Sequence, residues 1–216
     1  MSPKTKSSTQ TKSVTTTAIA EPPHFKIAEA LRTLISRTPD SSEEESSTPF
    51  QRANQLKNTA CLKAAAISGM LTLPPGPLGM LTILPDLIAI WRLQQQLVAD
   101  IANCFGKREA LTQEMMLYCL FKHGAAFLAR DLVVRTGERM LVRRVTLRTL
   151  QQTLQKIGFK LTQKTISRTL ARWVPLIGAA GMAAYSYYDT KCVAETAIEA
   201  FSKPIVIEGT SKAQST

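Results

Sequence analysis

Apolar side chains recur at helical spacing along most of this chain, and Pro, Gly and polar runs interrupt them. Residues 1–24 are polar, rich in Ser, Thr and Lys, and end at Pro22-Pro23, which predicts a disordered tail. Residues 25–37 set Phe25, Ile27, Ala28, Leu31, Leu34 and Ile35 on one face of a short amphipathic helix. Residues 38–50 read as an acidic Ser/Pro linker whose only apolar residues before Phe50 are prolines, so the first helix is expected to be tethered rather than integral. Residues 51–202 form the helical domain of this reading, and 203–216 a loose C-terminal tail.

Within that domain a helix over 49–73 becomes steadily more apolar and stops at LPPGPLG, where three prolines remove backbone donors and two glycines permit tight turning. The next helix has Pro85 in its first turn, with Asp86 beside it near the positive end of the dipole, and Gly106 is the expected C′ stop. A third helix is expected over 109–135. Gly137 then separates it from a basic helix over 138–157, and Gly158 interrupts before another basic stretch at 161–173. Val174-Pro175 and Gly178 open a last helix that runs to Phe201 and ends at Lys203-Pro204. No strand-like alternation of useful length is seen. The predicted class is all-α: a multi-helix bundle with two apolar helical hairpins broken by Pro and Gly, preceded by a disordered N-terminal tail.

Two uncharged runs raise the question of a bilayer. Residues 64–85 hold 22 residues without a charge, and 173–188 hold 16. A helix over 60–73 is roughly 21 Å long and one over 173–188 roughly 24 Å, against a hydrocarbon core of about 30 Å. Three readings stay open: core helices of a soluble bundle, a hairpin dipping into one leaflet, or true spans. Ala60 and Ala64, Ala65 and Gly69, Ala179 and Ala183, and Ala180 and Ala184 stand four apart, which lets helix backbones approach and would also serve a homo-oligomer.

The charge sharpens this picture. The chain of 216 residues has a formal charge of +11, and residues 131–172 alone carry 10 basic against 2 acidic side chains. Arg135, Arg139 and Arg143 step by four, as do Arg144 and Arg148, then Lys156, Lys160, Lys164, Arg168 and Arg172. Each step drifts by about 40°, giving cationic ridges on one side of a helix. Anionic lipid, an acidic partner or a membrane complex would suit them, with a solvated helix face as the plain alternative. Nucleic acid is disfavoured, because no helix-turn-helix, zinc finger or RNA-binding motif occurs and Phe159 and Trp173 are the only aromatics in the region.

Specific chemistry is thin. Cys61, Cys104, Cys119 and Cys192 lack CxxC spacing, and residues 1–23 lack an apolar signal region, so a reducing cytosolic side is expected. Cys119 and His123 stand i,i+4, but no further metal ligand and no orienting acid accompanies them. Asp86 and Asp100 return to within roughly 40° of one face and, with Arg92 and Gln96, could form a buried polar stripe; the plainer reading is a dipole partner at Asp86 and a surface residue at Asp100. Phosphate loops, H-E-x-x-H and G-x-S-x-G are absent. No cofactor, metal or catalytic residue is expected.

The stretch GMLTLPPGPLGMLTILPDLIAIWRLQQQLVADIANCFGK resembles the hallmark of the EcsC protein family: an apolar Pro/Gly turn, a helix start at Pro85-Asp86, and an end at Ile101-Ala102 and Phe105-Gly106, with Phe105 where the family usually has Tyr. KLTQKTISRTLARWVPLIGAAGMAAYSYYDTKCVAETA resembles its second hallmark, with Tyr185-Ser186-Tyr187-Tyr188 where the family often has Asn. The resemblance covers about residues 52–202. It implies a non-enzymatic helical protein on the cytosolic face of a membrane, accessory to a transport or secretion complex. The alternatives are an intracellular enzyme with an unrecognised helical active site around Asp86, Asp100 and His123, and, more weakly, a nucleic-acid-binding helical bundle; for location, the alternative is a soluble cytoplasmic protein.

Overall fold

The computed structural model describes residues 23–71, 83–123, 132–169 and 175–208. In chain order these hold α1 (Pro23–Ile35), α2 (Pro49–Leu71), α3 (Ile83–Cys104), a 3-10 turn (Arg108–Ala110), α4 (Gln113–Phe121), β1 (Val133–Thr136), β2 (Arg139–Val142), α5 (Leu147–Thr169), α6 (Pro175–Phe201) and β3 (Ile205–Ile207). The mostly helical architecture expected from the pattern stands. The Pro/Gly turn at 72–82, the connection at 170–174 and both chain ends lie outside the described residues.

Helices α2 and α6 both start on proline, whose missing N–H costs nothing at a first helical position. They pack along each other through small residues. A Cβ on Gly69 would stand 3.7 Å from that of Ala183, and the buried hydroxyls of Ser68 and Ser186 are 2.6 Å apart. Two of the anticipated small-residue positions therefore lie on this seam, with α3 packed against both helices. Helix α3 ends where expected: Gly106 has φ +62°, its N–H reaches Asn103 O at 2.8 Å, and Lys107 N–H reaches Ala102 O at 2.8 Å. This paired closure of a helix end needs a left-handed residue at C′.

The region after α4 differs from the helical expectation. Arg135 and Arg139 do not sit on helices: they belong to an antiparallel hairpin pairing Val133 with Val142 and Thr136 with Arg139. Gly137, at φ +60°, opens the two-residue loop, a position suited to glycine. Strand β3 adds to β2 in parallel, with Met140 opposite Ile205, so the free edge is covered by the segment expected to be a loose tail. Arg143 and Arg144 lie in irregular backbone. Gly158, expected to break the helix, is buried within a continuous α5.

Helix α1 is also more than a tethered arm. Leu31, Leu34 and Ile35 are buried, and the helix packs on α5 and α3. One core joins all these parts: Leu31, Ile101, Leu117, Leu132, Met140, Leu154 and Phe201 are all within it. Burying such a side chain contributes roughly 1.5–3 kcal/mol, which fixes α1 without any regular structure in the segment that follows it.

Candidate functional site

Three consecutive glutamines organise the centre of the molecule. Successive helical residues point about 100° apart, so Gln94, Gln95 and Gln96 on α3 reach three different elements. Gln94 donates to Asp189 Oδ2 at 2.7 Å and Thr190 Oγ1 at 3.3 Å on α6. Gln95 donates to the carbonyls of Leu34 and Arg37, each at 2.7 Å, and so closes the end of α1. Gln96 donates to Asp40 O and Asp100 Oδ1, both at 2.9 Å. Asp100 also accepts from Ser41 Oγ at 2.7 Å, and Asn103 donates to Glu43 O at 2.8 Å. Asp100 is thus half-buried beneath the acidic segment and holds it down. The stripe containing Gln96 and Asp100 is a structural clasp. A cavity of about 800 Å³, lined by Glu29, Arg37, Arg92, Gln95 and Gln96, lies beside it.

A second polar group lies between α4, the hairpin and α6. His123 Nε2 stands 2.8 Å from Asp189 Oδ1, which also accepts from Tyr185 Oη at 3.1 Å. Burial pushes the Asp189 carboxyl up, but the hydrogen bond and charge of His123, with the donors Gln94 and Tyr185, outweigh it and hold the group below its ordinary value. Glu199 gathers Lys122 at 2.9 Å, Lys203 at 3.1 Å and Arg135 at 3.2 Å. The hydrogen bond from Lys122 is the main cause of its lowered pKa. A cavity of about 780 Å³ opens here, lined among others by Tyr118, Lys122, His123, Arg135, Cys192 and Glu199. Cys119, one turn before His123, is buried and its thiol is pushed up to about 12 by desolvation. Among the described residues no cluster of His, Cys, Asp or Glu suited to a metal ion occurs.

The proposed trio of Asp86, Asp100 and His123 is not one constellation. Asp100 belongs to the clasp on the acidic segment and His123 to the Asp189 group, while the Asp86 side chain lies outside the described residues. Pattern reading missed Asp189, although a signal existed: it is the first carboxylate after 50 residues, 139–188, that contain none.

That acid-free stretch carries the cationic surface. Arg139, Arg143, Arg144, Arg148 and Lys156 are exposed and, among the described residues, none of them forms an ion pair. Arg135 is exposed but engaged by Glu199. Lys160 is half-buried on α5. Lys164 and Arg168 are on α5 with side chains outside the described residues, and Arg172 lies outside them altogether. The ridge of basic residues at steps of four is therefore split among a hairpin, an irregular segment and one helix. Two large apolar side chains of the same stretch of chain are also exposed, Leu147 at 76% and Phe159 at 54%. Leu62, Met70 and Tyr188 are exposed on the α2–α6 pair. No helix of the described residues is long and apolar enough to cross a membrane.

Comparison with known proteins gives one match. No curated protein matches the chain. No solved structure matches it either. The model of the EcsC protein family matches residues 5–205, a span that extends well before the hallmark segments and takes in α1 and the acidic segment. With nearly the whole length matched, from the first helix to the strand that closes the sheet, the chain belongs to the EcsC protein family.

Proposed function

We propose that this protein is a non-enzymatic, peripheral membrane protein that docks on an anionic leaflet from the cytosolic side, where it serves a membrane transport or secretion complex. The supporting observation is the surface of residues 139–159. Among the described residues Arg139, Arg143, Arg144, Arg148 and Lys156 are exposed without carboxylate partners, and Leu147 and Phe159 of the same stretch are exposed too. Unpaired cations attract lipid headgroups, and neighbouring apolar side chains can enter the boundary below them. The exposed Leu62, Met70 and Tyr188 of the α2–α6 pair offer a second shallow apolar contact.

The test is sedimentation with vesicles of phosphatidylcholine alone or with 30% phosphatidylserine. Binding is expected only to the anionic vesicles, and raising salt should weaken it. Replacing Arg143, Arg144 and Arg148 together by Gln should weaken binding by roughly 100-fold, since each cation near the surface contributes about 1 kcal/mol. Equal recovery with both vesicle types would overturn the reading.

A further inference from the structure

We infer that Thr146 is a phosphorylation site for a serine/threonine protein kinase that selects arginine before its target, and that its phosphate switches off the cationic face. The effect on lipid rests on the membrane-docking reading above. The site itself does not.

The chain has a single Arg-Arg pair, Arg143-Arg144, and it stands three and two residues before Thr146. No other Ser or Thr has arginine at both distances. Leu147 follows directly. A kinase with an acidic substrate cleft holds two such guanidinium groups through bidentate carboxylate pairs, and a short apolar pocket takes the next side chain. All four residues of this pattern (Arg143, Arg144, Thr146 and Leu147) are exposed. Residues 143–146 have no helix or strand hydrogen-bond ladder to break. The segment is held at three backbone points: Arg143 N–H to Leu132 O at 2.9 Å, Val145 N–H to the Glu114 carboxylate at 3.3 Å, and Leu150 N–H of α5 to Thr146 O at 2.9 Å. Engagement by a kinase needs these and the first turn of α5 to open. Helix ends fray at low cost, so local opening reaches the site without global unfolding.

In the transfer, Thr146 Oγ1 attacks the γ-phosphorus of ATP. The new O–P bond forms as the bond to the β–γ bridging oxygen breaks, ADP leaves, and the hydroxyl proton passes to the kinase's catalytic carboxylate. The product fits its surroundings. Thr146 Oγ1 already accepts from Thr149 N–H at 3.3 Å at the start of α5, and lies 3.0 Å from Thr149 Oγ1. A phosphate there meets the positive end of the helix and neighbouring Arg143, Arg144 and Arg148. The helix is kept while a charge near −2 is placed in the middle of the lipid-facing cations. This is an electrostatic switch.

The full-length folded protein is incubated with ATP and the catalytic subunit of an arginine-directed kinase, and the phosphate is located by mass spectrometry. One phosphate on Thr146 is expected. It should be retained in Thr146→Ser and Thr149→Ala, and reduced at least tenfold in Thr146→Ala and in the Arg143→Gln/Arg144→Gln double variant, all with unchanged circular dichroism. Labelling elsewhere, or equal labelling of Thr146→Ala, overturns the site. Phosphorylated protein should bind 30% phosphatidylserine vesicles ten- to a hundredfold more weakly. Full labelling with unchanged binding overturns the switch. If the unmodified protein ignores anionic vesicles, the docking reading fails, and labelling at Thr146 still decides the site.

Discussion

Two parts of this molecule spend their polar groups in opposite ways. In the part made by the acidic segment, α3 and the second half of α6, most of the described charged or amide side chains have a protein partner, Glu44, Glu45 and Arg92 excepted. Gln94, Gln95 and Gln96 each hold a different element, and Glu199 gathers three cations. Across the hairpin, residues 143–146 and α5, Arg135 is tied to Glu199, whereas Arg139, Arg143, Arg144, Arg148 and Lys156 form no ion pair among the described residues. A chain that satisfies most of its charges in one region and leaves them open in another directs the open set outward. The difference separates residues whose loss weakens the fold from residues whose loss weakens docking.

The largest expected effect breaks the tied part outright. Phe201 is fully buried where α6 meets β3, so Phe201→Ala should cost about 3–5 kcal/mol. Leu147→Ala, on the open face, should change stability by no more than about 0.5 kcal/mol while reducing adsorption to anionic vesicles. Urea denaturation measures the first quantity and vesicle sedimentation the second. Equal stability losses at the two positions would erase the distinction.

A smaller effect tests the clasp on α1. Gln95→Ala leaves the buried carbonyl of Leu34 and the part-buried carbonyl of Arg37 without their donor, a loss of about 1–3 kcal/mol. Hydrogen exchange should quicken in α1 before it quickens in α6. If both helices respond alike, the glutamine is not what seats α1.

These two tests bear on what could be read beforehand. The helices α2, α3 and α6 were legible because each is long, apolar and punctuated by Pro or Gly, so local rules sufficed. The Gly106 stop was legible for the same reason. The hairpin was not. Strands of four residues give no period, and arginines at 135, 139 and 143 fit a helix face as well as a strand edge. Its cover, β3, arrives from residues 205–207, and no local pattern announces a pairing across that separation. The acidic segment read as a free linker because it has no apolar residue before Phe50. It is held instead through backbone carbonyls, which composition does not reveal. For the cationic face, the residues and the charge excess were legible in the sequence, while the absence of ion pairs at Arg143, Arg144 and Arg148 among the described residues needed the fold. The partner of His123 was out of reach in sequence, since Asp189 is 66 positions away.

The smallest effect is confined to acid and belongs to the tied part alone. Asp189 and Glu199 are held below their ordinary values of 3.8 and 4.5 in the folded chain. Each therefore contributes stability that is fully present above its unfolded value and is lost as pH falls through its folded one, because the unfolded chain takes up the proton first. Thermal melts should show a falling midpoint below about pH 4.5. Asp189→Asn, which keeps an oxygen acceptor for Gln94, should make that acid limb shallower. Arg144→Gln should leave its slope untouched, since Arg144 forms no ion pair among the described residues. A limb that flattens with Arg144→Gln would mean that the open cations are paired with acids after all, and that the two regions share one electrostatic network.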